Sequence, residues 1–557
     1  MAHQELATLA DEYFHARLAA EPFLATMFGV AGYDSAVPDR SRAADQRLIA
    51  TLSGLERRLT GISPEGLTGP DLVTRAMLAT GIRDHRESLE HGLREVSVSG
   101  GVMGVLSEVL ASVPAVSLRD QAAADAYLAR LAALEGFFDR QLTRHREAAA
   151  DGRTPTALGV RQAVDQLDDY LSRDDDPLLR PAPPGDGQVG RGRVAHVLTE
   201  RVHPALRRFR ESLAEELLPT GRDDDHVGVC HVPGGREGYL TAVRAHTTTG
   251  LSPDEIHQIG LATLAELRTE FADLGGRVLG ERDVPTVLHR LREDRALRFD
   301  SAGQIVEVVT TALRRAEEAL PDWFRTYPTA PCVVREMHPS EAKGGVLGYY
   351  LPPSGNGSRP GTHVINTYRP EIRPRYEYQA LAFHESVPGH HTQLAVAQTL
   401  TGLPDFRRFG FVTAHSEGWA LYAERLANEM GLYSDEVSRL GMVSFDAWRA
   451  CRLVVDTGMH HLGWSRPRAI EFMRDNTALS EANIANEVDR YIAEPGQALA
   501  YLIGRIRIRE LRSAAQATLR SRFDIREFHH QVLGHGALPL DTLEEVVAGW
   551  VRDNGSP

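Results

Sequence analysis

The chain has 557 residues, of which 42% are hydrophobic and 25% are charged, and these proportions are ordinary for a globular protein with a large core. The formal net charge of −14 argues against nucleic acid as the main partner, and no stretch is long and apolar enough to predict a membrane-spanning helix. The first residues lack a basic region followed by an apolar run, and the cysteines Cys230, Cys332 and Cys451 are far apart. Together these features predict a cytoplasmic protein with reduced thiols.

The first part of the chain is predicted to be helical. Apolar residues recur at helical spacing over residues 4–30, where Pro22 breaks or restarts the helix, and again over residues 43–60 and 70–95. Residues 119–150 have the composition of a helix pair that is rich in alanine, leucine, arginine and glutamate.

Residues 173–193 are the clearest candidate linker, because they combine three consecutive aspartates with several prolines and glycines. We therefore predict an N-terminal helical lobe over residues 1–172, an exposed loop over 173–193, and a helical region with the candidate site over 194–557. Within that last region, Ser252 followed by proline and a glutamate at the third helical position predicts a helix start.

A small β region is predicted next. Segments rich in β-branched and aromatic residues predict strands over 332–337, 345–350 and 361–367. The turn-forming run at 352–357 would join the last two strands into a hairpin. This hairpin either covers the core or contacts a ligand, in which case the side chains expected to contact it are Tyr349, Tyr350 and Asn366.

A helix-like apolar segment then contains the pair His384 and Glu385. Imidazole is a good zinc ligand, and a neighbouring glutamate is the usual general base of zinc hydrolases. The usual pattern has a second histidine four residues later, but Pro388 occupies that position and the next histidine is His390. His384 and His390 can share a metal only if the helix is locally disturbed. Pro388 and Gly389 predict such a disturbance, because proline removes a helical hydrogen bond and glycine permits unusual backbone angles.

A third ligand is expected on a later helix. Glu417 and Glu424 are seven residues apart in a Glu-Gly-Trp-Ala-Leu-Tyr-Ala-Glu segment, so they lie near one helix face. A catalytic zinc has three protein ligands and an open fourth position, and two histidines with a glutamate are one known set. We therefore predict one zinc ion per chain, held by His384, His390 and Glu417. Glu385 would then accept a proton from the attacking water.

Two side chains near these ligands have less defined roles. Glu424 is expected to accept a hydrogen bond from the second ring nitrogen of a ligand histidine. His391 could be the second ligand in place of His390, a neighbour of the ligands, or a donor to the substrate.

The chain resembles a bacterial family in three motifs. These are His-Glu-x-x-Pro-Gly-His-His from His384, the glutamate-bearing segment from Glu417, and Glu-Pro-Gly-Gln-Ala-Leu-Ala-Tyr from Glu494. They resemble the "domain of unknown function 885" family, and the resemblance extends from the N-terminus to about Arg512, which indicates one family-wide unit over residues 1–557.

That family is similar to the gluzincin metallopeptidases, whose motif would carry two inserted residues here. The insertion favours His390 over His391 as the second ligand. The resemblance implies a mainly α, two-lobed helical fold like that of zinc metallopeptidases, with a small hairpin or sheet at a deep active-site cleft. Peptidases of this kind use the edge of such a hairpin to hold an extended substrate.

Further residues are candidates for the oxyanion and the substrate. Peptidases of similar architecture use a tyrosine from a C-terminal helix to stabilise the oxyanion, which implies Tyr501 first and Tyr491 second. Arg505 could bind the carboxylate of a substrate, although it also fits an ordinary alternation of charged and core residues. Asp456 and His460 lie one helical turn apart. They could form a buried polar contact, or His460 could donate to the oxyanion with Asp456 orienting it.

These features predict a zinc metallopeptidase that cleaves short peptides or small amides by metal-activated water. A zinc amidase acting on a non-peptide metabolite or a biosynthetic intermediate is a second interpretation. A non-catalytic helical scaffold that binds a metal or a protein is a third, and the presence of Glu385 with a full ligand set counts against it. We expect no nucleic-acid or membrane partner, and no feature predicts the oligomeric state.

Overall fold

The structure is a computed structural model that describes residues 2–181, 187–338, 342, 347–353 and 359–555. Most of the described chain is helical, as expected. Polar side chains begin several helices by accepting a hydrogen bond from a backbone N–H of the first turn, as Ser41, Thr68 and Asp120 do. The start predicted at Ser252 is confirmed, with a reciprocal capping box to Glu255.

The N-terminal part of the chain consists of helices joined by short turns. Its helices are α1 (Ala2–Ala20), α2 (Pro22–Phe28), α3 (Arg42–Gly61), α4 (Gly69–His91), α5 (Val105–Ser112), α6 (Gln121–Ala150), α7 (Ala157–Leu171), α8 (Gly187–Val197) and α9 (His203–Ser212), with π-helical turns at Leu198–Val202 and Leu213–Leu217. The helix pair predicted over residues 119–150 is instead the single helix α6, because its apolar stripe is continuous and it contains no proline.

The remaining elements carry the candidate site. They are α10 (Gly235–Thr247), α11 (Pro253–Val278), α12 (Val284–Glu293), α13 (Ala302–Trp323), β1 (Cys332–Glu336), β2 (Gly348–Leu351), β3 (Gly361–Ile365), α14 (Tyr378–Glu385), α15 (His390–Thr399), α16 (Asp405–Arg408), α17 (Thr413–Glu429), α18 (Glu436–His460), α19 (Arg466–Asn476), α20 (Glu481–Ala493), α21 (Ala500–Leu519), α22 (Ile525–Leu533) and α23 (Leu540–Gly555). None of the helices in the described part of the chain has the length and apolar character that crossing a membrane requires.

The strands form one small sheet in the order β1-β3-β2. β2 pairs antiparallel with β3, as the predicted hairpin requires, and β1 joins the other edge of β3 in parallel. The predicted strand residues 345–346 and turn residues 354–357 lie outside the described residues.

The hydrophobic packing divides the chain differently from the predicted lobes. One core joins α1, α3 and α4 to the elements from α10 to α23. A second cluster consists of Phe23 and side chains between Val98 and Leu217, and it therefore includes helices on both sides of residues 173–193. The predicted linker is itself partly packed, since Leu178 is buried and its carbonyl accepts a hydrogen bond from Tyr127. Residues 182–186 of the predicted linker lie outside the described residues.

Candidate metal centre

The helix that contains the histidine motif is interrupted between Glu385 and His390, as the proline and glycine predict. A Cβ at Gly389 would collide with the carbonyl oxygens of Phe383 and His384, so the close return of the chain requires glycine. The indole of Trp419 donates a hydrogen bond of 2.9 Å to the Pro388 carbonyl and so ties the interruption to α17. The break changes the direction of the chain, and His390 begins a new helix beside the old one.

This arrangement brings His384, His390 and Glu417 together. Oε2 of Glu417 lies 3.6 Å from Nε2 of His384 and 3.4 Å from Nε2 of His390, and one donor atom from each of the three residues falls within 4.8 Å of the others. All three residues are buried. Atoms that lie about 2.1 Å from one tetrahedrally coordinated zinc are about 3.4 Å apart, so the three side chains fit a shared divalent cation.

Glu424 contacts the outer side of this cluster. Its Oε1 lies 2.8 Å from Nδ1 of His384, so that ring nitrogen donates and leaves Nε2 free to face Glu417. Burial alone would lower the pKa of His384, but the carboxylates of Glu417 and Glu424 outweigh it and raise that pKa to about 9. The two histidines in turn hold the pKa of Glu417 well below its usual range, although burial opposes them. The cluster therefore stabilises positive charge between its carboxylates.

Glu385 follows His384 at the end of α14 and is partly buried. Burial raises the pKa of Glu385, and the neighbouring His384 and His390 act in the opposite direction. Its side chain has no hydrogen-bond partner among the residues that the structure describes, so it is free to accept a proton.

Tyr501 reaches the cluster because α17 and α21 pack at very short distance. A Cβ at Gly418 would lie 2.5 Å from the Cα of Gly504, so glycine at this crossing lets the two backbones touch. The ring of Tyr501 then stacks on that of His384 at 6.5 Å between centroids. The guanidinium of Arg452 lies 4.2 Å from the Tyr501 ring centroid, a contact between distant helices that residue spacing does not predict. Only the distribution of arginines along α18 could have indicated it.

His391 is turned away from the cluster. Its Nε2 donates to the Ala330 carbonyl at 3.0 Å, and its Nδ1 accepts from the hydroxyl of Tyr350 at 2.8 Å. Both nitrogens are therefore occupied, and His390 is the histidine that the structure brings to His384. Tyr350 holds His391 in place through this bond.

The pair predicted between Asp456 and His460 does not form, and each residue bonds elsewhere. His460 accepts from the backbone N–H of Val229 at 3.1 Å and donates to the Tyr491 carbonyl at 2.9 Å. Asp456 accepts from the hydroxyl of Tyr239 at 2.6 Å and from a backbone N–H of the loop before α21. Both side chains are fully buried, so they join α18 to its neighbours, and His460 has no N–H left for an oxyanion.

Tyr491 and Arg505 are also engaged in the interior. The hydroxyl of Tyr491 donates to Glu487 at 2.6 Å and accepts from Arg452 at 2.9 Å, which leaves it no free proton for a substrate. Arg505 pairs with the buried Asp446, so its guanidinium is held away from a substrate carboxylate.

The other hairpin candidates are structural too. Asn366 is fully buried, and its side-chain amide donates to the Ala342 carbonyl at 2.7 Å and accepts from the backbone of Tyr368 at 3.0 Å. Tyr349 is partly buried against the small cluster formed by Met337, Ala342 and Val364. These side chains became candidates because they lie on the predicted hairpin. The sequence could not indicate which partners would occupy their polar atoms.

Comparison with known proteins gives a family and two solved structures. The model of the family described as "Bacterial protein of unknown function (DUF885)" matches residues 22–547, so the match continues past Arg512 into α23. A protein described as "the putative lipoprotein from Colwellia psychrerythraea" is 26% identical with a TM-score of 0.91, over 99% of this chain and 100% of that chain. A "putative lipoprotein of unknown function from Shewanella oneidensis" has the same fold at 16% identity and a TM-score of 0.76, over 98% of this chain and 99% of that chain. No curated protein matches.

Proposed function

The chain belongs to the DUF885 family of bacterial proteins, and from the geometry of its metal-binding cluster we propose that it is a zinc-dependent metallopeptidase that cleaves short peptides. The observation that carries the proposal is the spacing of three buried donor atoms, with separations of 3.4 and 3.6 Å measured from the Glu417 carboxylate. These separations are too long for good hydrogen bonds and match the edges of a tetrahedral zinc site. The similarity of the motif to that of gluzincin peptidases supports the same assignment.

The cluster is the place where zinc would be held, by His384, His390 and Glu417. When bound there, the ion would polarise the scissile carbonyl and make a water molecule more acidic. Nitrogen and oxygen donors also suit manganese, cobalt or nickel, so zinc is the preferred ion in this proposal and not the only one that the donors allow.

The chain's own residues then divide the proton transfers and the charge stabilisation. Glu385 takes a proton from the attacking water and passes it to the leaving amine, since its carboxylate is unpaired and adjacent to His384. Tyr501 donates its hydroxyl proton as a hydrogen bond to the developing oxyanion, because its ring stacks beside His384. Glu424 holds His384 in the required tautomer.

We propose short peptides or small amides as the substrates. The cytoplasmic location stays a prediction from the sequence, and the word lipoprotein describes the two similar proteins.

The test is elemental analysis of the purified protein, a His384→Ala variant and a control. His289→Ala is the matched control, because this histidine is exposed on α12 and distant in sequence from the cluster. We expect about one zinc per chain in the wild type and the control, and little in His384→Ala. Absence of metal from the wild type, purified with added zinc and without chelator, would contradict the proposal.

A peptide library then tests the activity. Products are expected with the zinc-loaded wild type and not with Glu385→Gln, provided that this variant retains its zinc. If the wild type with one bound zinc per chain yields no product from the library, the metal site is still supported but the peptidase assignment is contradicted.

A further inference from the structure

A cavity of about 460 Å³ lies between the N-terminal helices and the segment that precedes α21. Its walls come from α4 and α10 and from the turn after α20, which includes Glu494 and Pro495. This volume lies within the range of roughly 300–1,000 Å³ that is typical of small-molecule sites. The Glu-Pro-Gly-Gln motif that begins at Glu494 therefore forms part of a cavity wall.

Two elements of the structure connect the wall of the cavity to the metal centre. His246 lines the cavity, and its Nδ1 lies 3.5 Å from the hydroxyl of Thr413, which is one helical turn before the ligand Glu417. On the other side, the Glu494 carbonyl accepts from the backbone N–H of Gln497 at 3.3 Å, and Gln497 lies one turn before Tyr501. The cavity wall and the metal centre are therefore joined through the same two segments, the start of α17 and the turn before α21.

Most of the charge on the cavity wall is already neutralised. Arg40 donates to Glu21 at 2.8 Å and to Glu108 at 2.5 Å, and Arg94 lies 3.3 Å from the same Glu21. Two guanidinium groups and two carboxylates form this network, so its formal charge is zero.

Glu494 stands outside that network. The residue is partly buried, and among the described residues it makes no side-chain hydrogen bond or ion pair. Arg490 is the cation that acts on its pKa, and this guanidinium is itself held by Glu487 at 3.1 Å and Gln497 at 2.7 Å. Burial raises the pKa of Glu494, as expected for a desolvated carboxylate without a close partner. When ionised, this carboxylate gives the cavity wall a negative charge that none of the described side chains pairs with directly.

We infer that Glu494 binds a primary ammonium group of the substrate, so that a peptide lies in the cavity with its cation at Glu494 and its scissile bond at the metal centre. This inference rests on the proposed function and adds a substrate class to it. The ammonium group could be the amino terminus of the peptide or a lysine side chain, and peptides that carry one or the other separate the two sources. A substrate held by its amino terminus would be cleaved close to that end.

The experiment measures peptide binding by calorimetry to the zinc-loaded Glu385→Gln protein. The probes are trialanine, N-acetyl-trialanine and N-acetyl-alanyl-lysyl-alanine. We expect trialanine to bind about tenfold or more tightly than N-acetyl-trialanine if the amino terminus is recognised. Tight binding of the acetylated lysine peptide would instead assign the site to a lysine side chain.

Adding Glu494→Gln is expected to remove the preference for the charged peptide and to leave the weak binding of N-acetyl-trialanine unchanged. Glu471→Gln makes the same change on the exposed surface of α19 and is the matched control. Zinc content and the unfolding midpoint of each variant show whether it is folded. The acetylation comparison needs no Glu494 variant, so it stands even if that variant misfolds.

Equal binding of all three peptides, or binding that Glu494→Gln does not change, would overturn the inference. Absence of any binding would overturn it as well. Wild-type cleavage of the same peptides is assayed in parallel. If cleavage occurs without a preference for an ammonium group, the proposed function survives and only the inference about Glu494 fails.

Discussion

At the scale of single residues, Glu424 is expected to affect metal binding indirectly, through its hydrogen bond to His384. It is fully buried, and it accepts the Nδ1–H of His384 at 2.8 Å. Such partners fix the tautomer and the orientation of a metal-binding histidine. We predict that Glu424→Gln lowers zinc affinity by about 10- to 100-fold, because the amide can still accept the bond but lacks the charge.

Competition with a chromophoric chelator near neutral pH measures this affinity. Glu429→Gln is the control on the same helix, since Glu429 is exposed and pairs with Arg512. Equal affinities of the two variants would show that Glu424 does not support the metal site.

Tyr501 gives a second prediction at this scale. If its hydroxyl donates to the oxyanion, Tyr501→Phe should lower kcat by about 100- to 1,000-fold, the usual cost of removing one such donor. Zinc content and KM should change little, because the ring and its stacking on His384 remain. The measurement is steady-state cleavage of a peptide identified in the library screen. An unchanged kcat would exclude the proposed role of Tyr501.

The sequence predicted which residues meet in the candidate metal cluster better than it predicted the candidate donors to the oxyanion. His384, His390 and Glu417 follow from ligand chemistry and spacing, which survive folding because each lies in a local motif. Asp456 and His460 follow from spacing alone, and they bond elsewhere because α10 and α20 supply better partners. Helical spacing gives the direction of a side chain, but it does not give the element that packs against it.

At the scale of elements, the break between α14 and α15 determines whether the two histidines can meet. We predict that Gly389→Ala reduces zinc content to well below one per chain. The added Cβ would collide with two carbonyl oxygens of α14, so the connection must move and carry His390 with it. Elemental analysis and far-ultraviolet circular dichroism measure the effect. Gly402→Ala is the control, because a Cβ there would meet nothing within 4 Å.

A Gly389→Ala variant that binds a full complement of zinc would mean that the break adapts without moving His390.

The existence of the break between α14 and α15 could be predicted from Pro388 and Gly389. The hydrogen bond of Trp419 that ties the break to α17 could not be predicted, because it depends on how two distant helices pack. The same reason explains why the boundary predicted at residues 173–193 does not separate the two hydrophobic clusters.

At the scale of the whole molecule, buried neutral histidines make stability depend on pH. Burial lowers the pKa of several of them to about 4, namely His145, His415 and His460. An unfolded chain binds protons at these positions below about pH 6.5, so their stabilisation is present above that pH and is lost as the pH falls towards 4. Asp456 and Glu377 act in the opposite direction, since burial raises their pKa values to about 7 and about 8, and so does His384, whose carboxylate neighbours raise its pKa to about 9 against burial. The buried histidines outnumber these three groups, because burial also lowers the pKa to about 4 at His85, His246, His391 and His535.

We therefore predict that the metal-free protein has a lower free energy of unfolding at about pH 5 than at about pH 7. Each of these histidines contributes a difference on the order of 1 kcal/mol. Urea unfolding of chelator-treated protein at the two pH values measures the difference. The use of metal-free protein keeps the loss of zinc at low pH out of the comparison. An equal or higher stability at pH 5 would contradict this account.

The core that joins the first helices to the last ones has a consequence for synthesis on the ribosome. Tyr13 packs edge-on against Phe406 at 5.9 Å, Thr74 bonds to Arg407 at 2.9 Å, and the backbone N–H of Leu538 donates to His415 at 3.1 Å. The helices α1 and α4 pack against each other and α3, but they emerge hundreds of residues before their late partners, so part of their apolar surface stays uncovered until then. Such nascent segments are exposed to aggregation until the chain is nearly complete. The candidate metal centre, which lies in this same core, can thus be completed only late in translation.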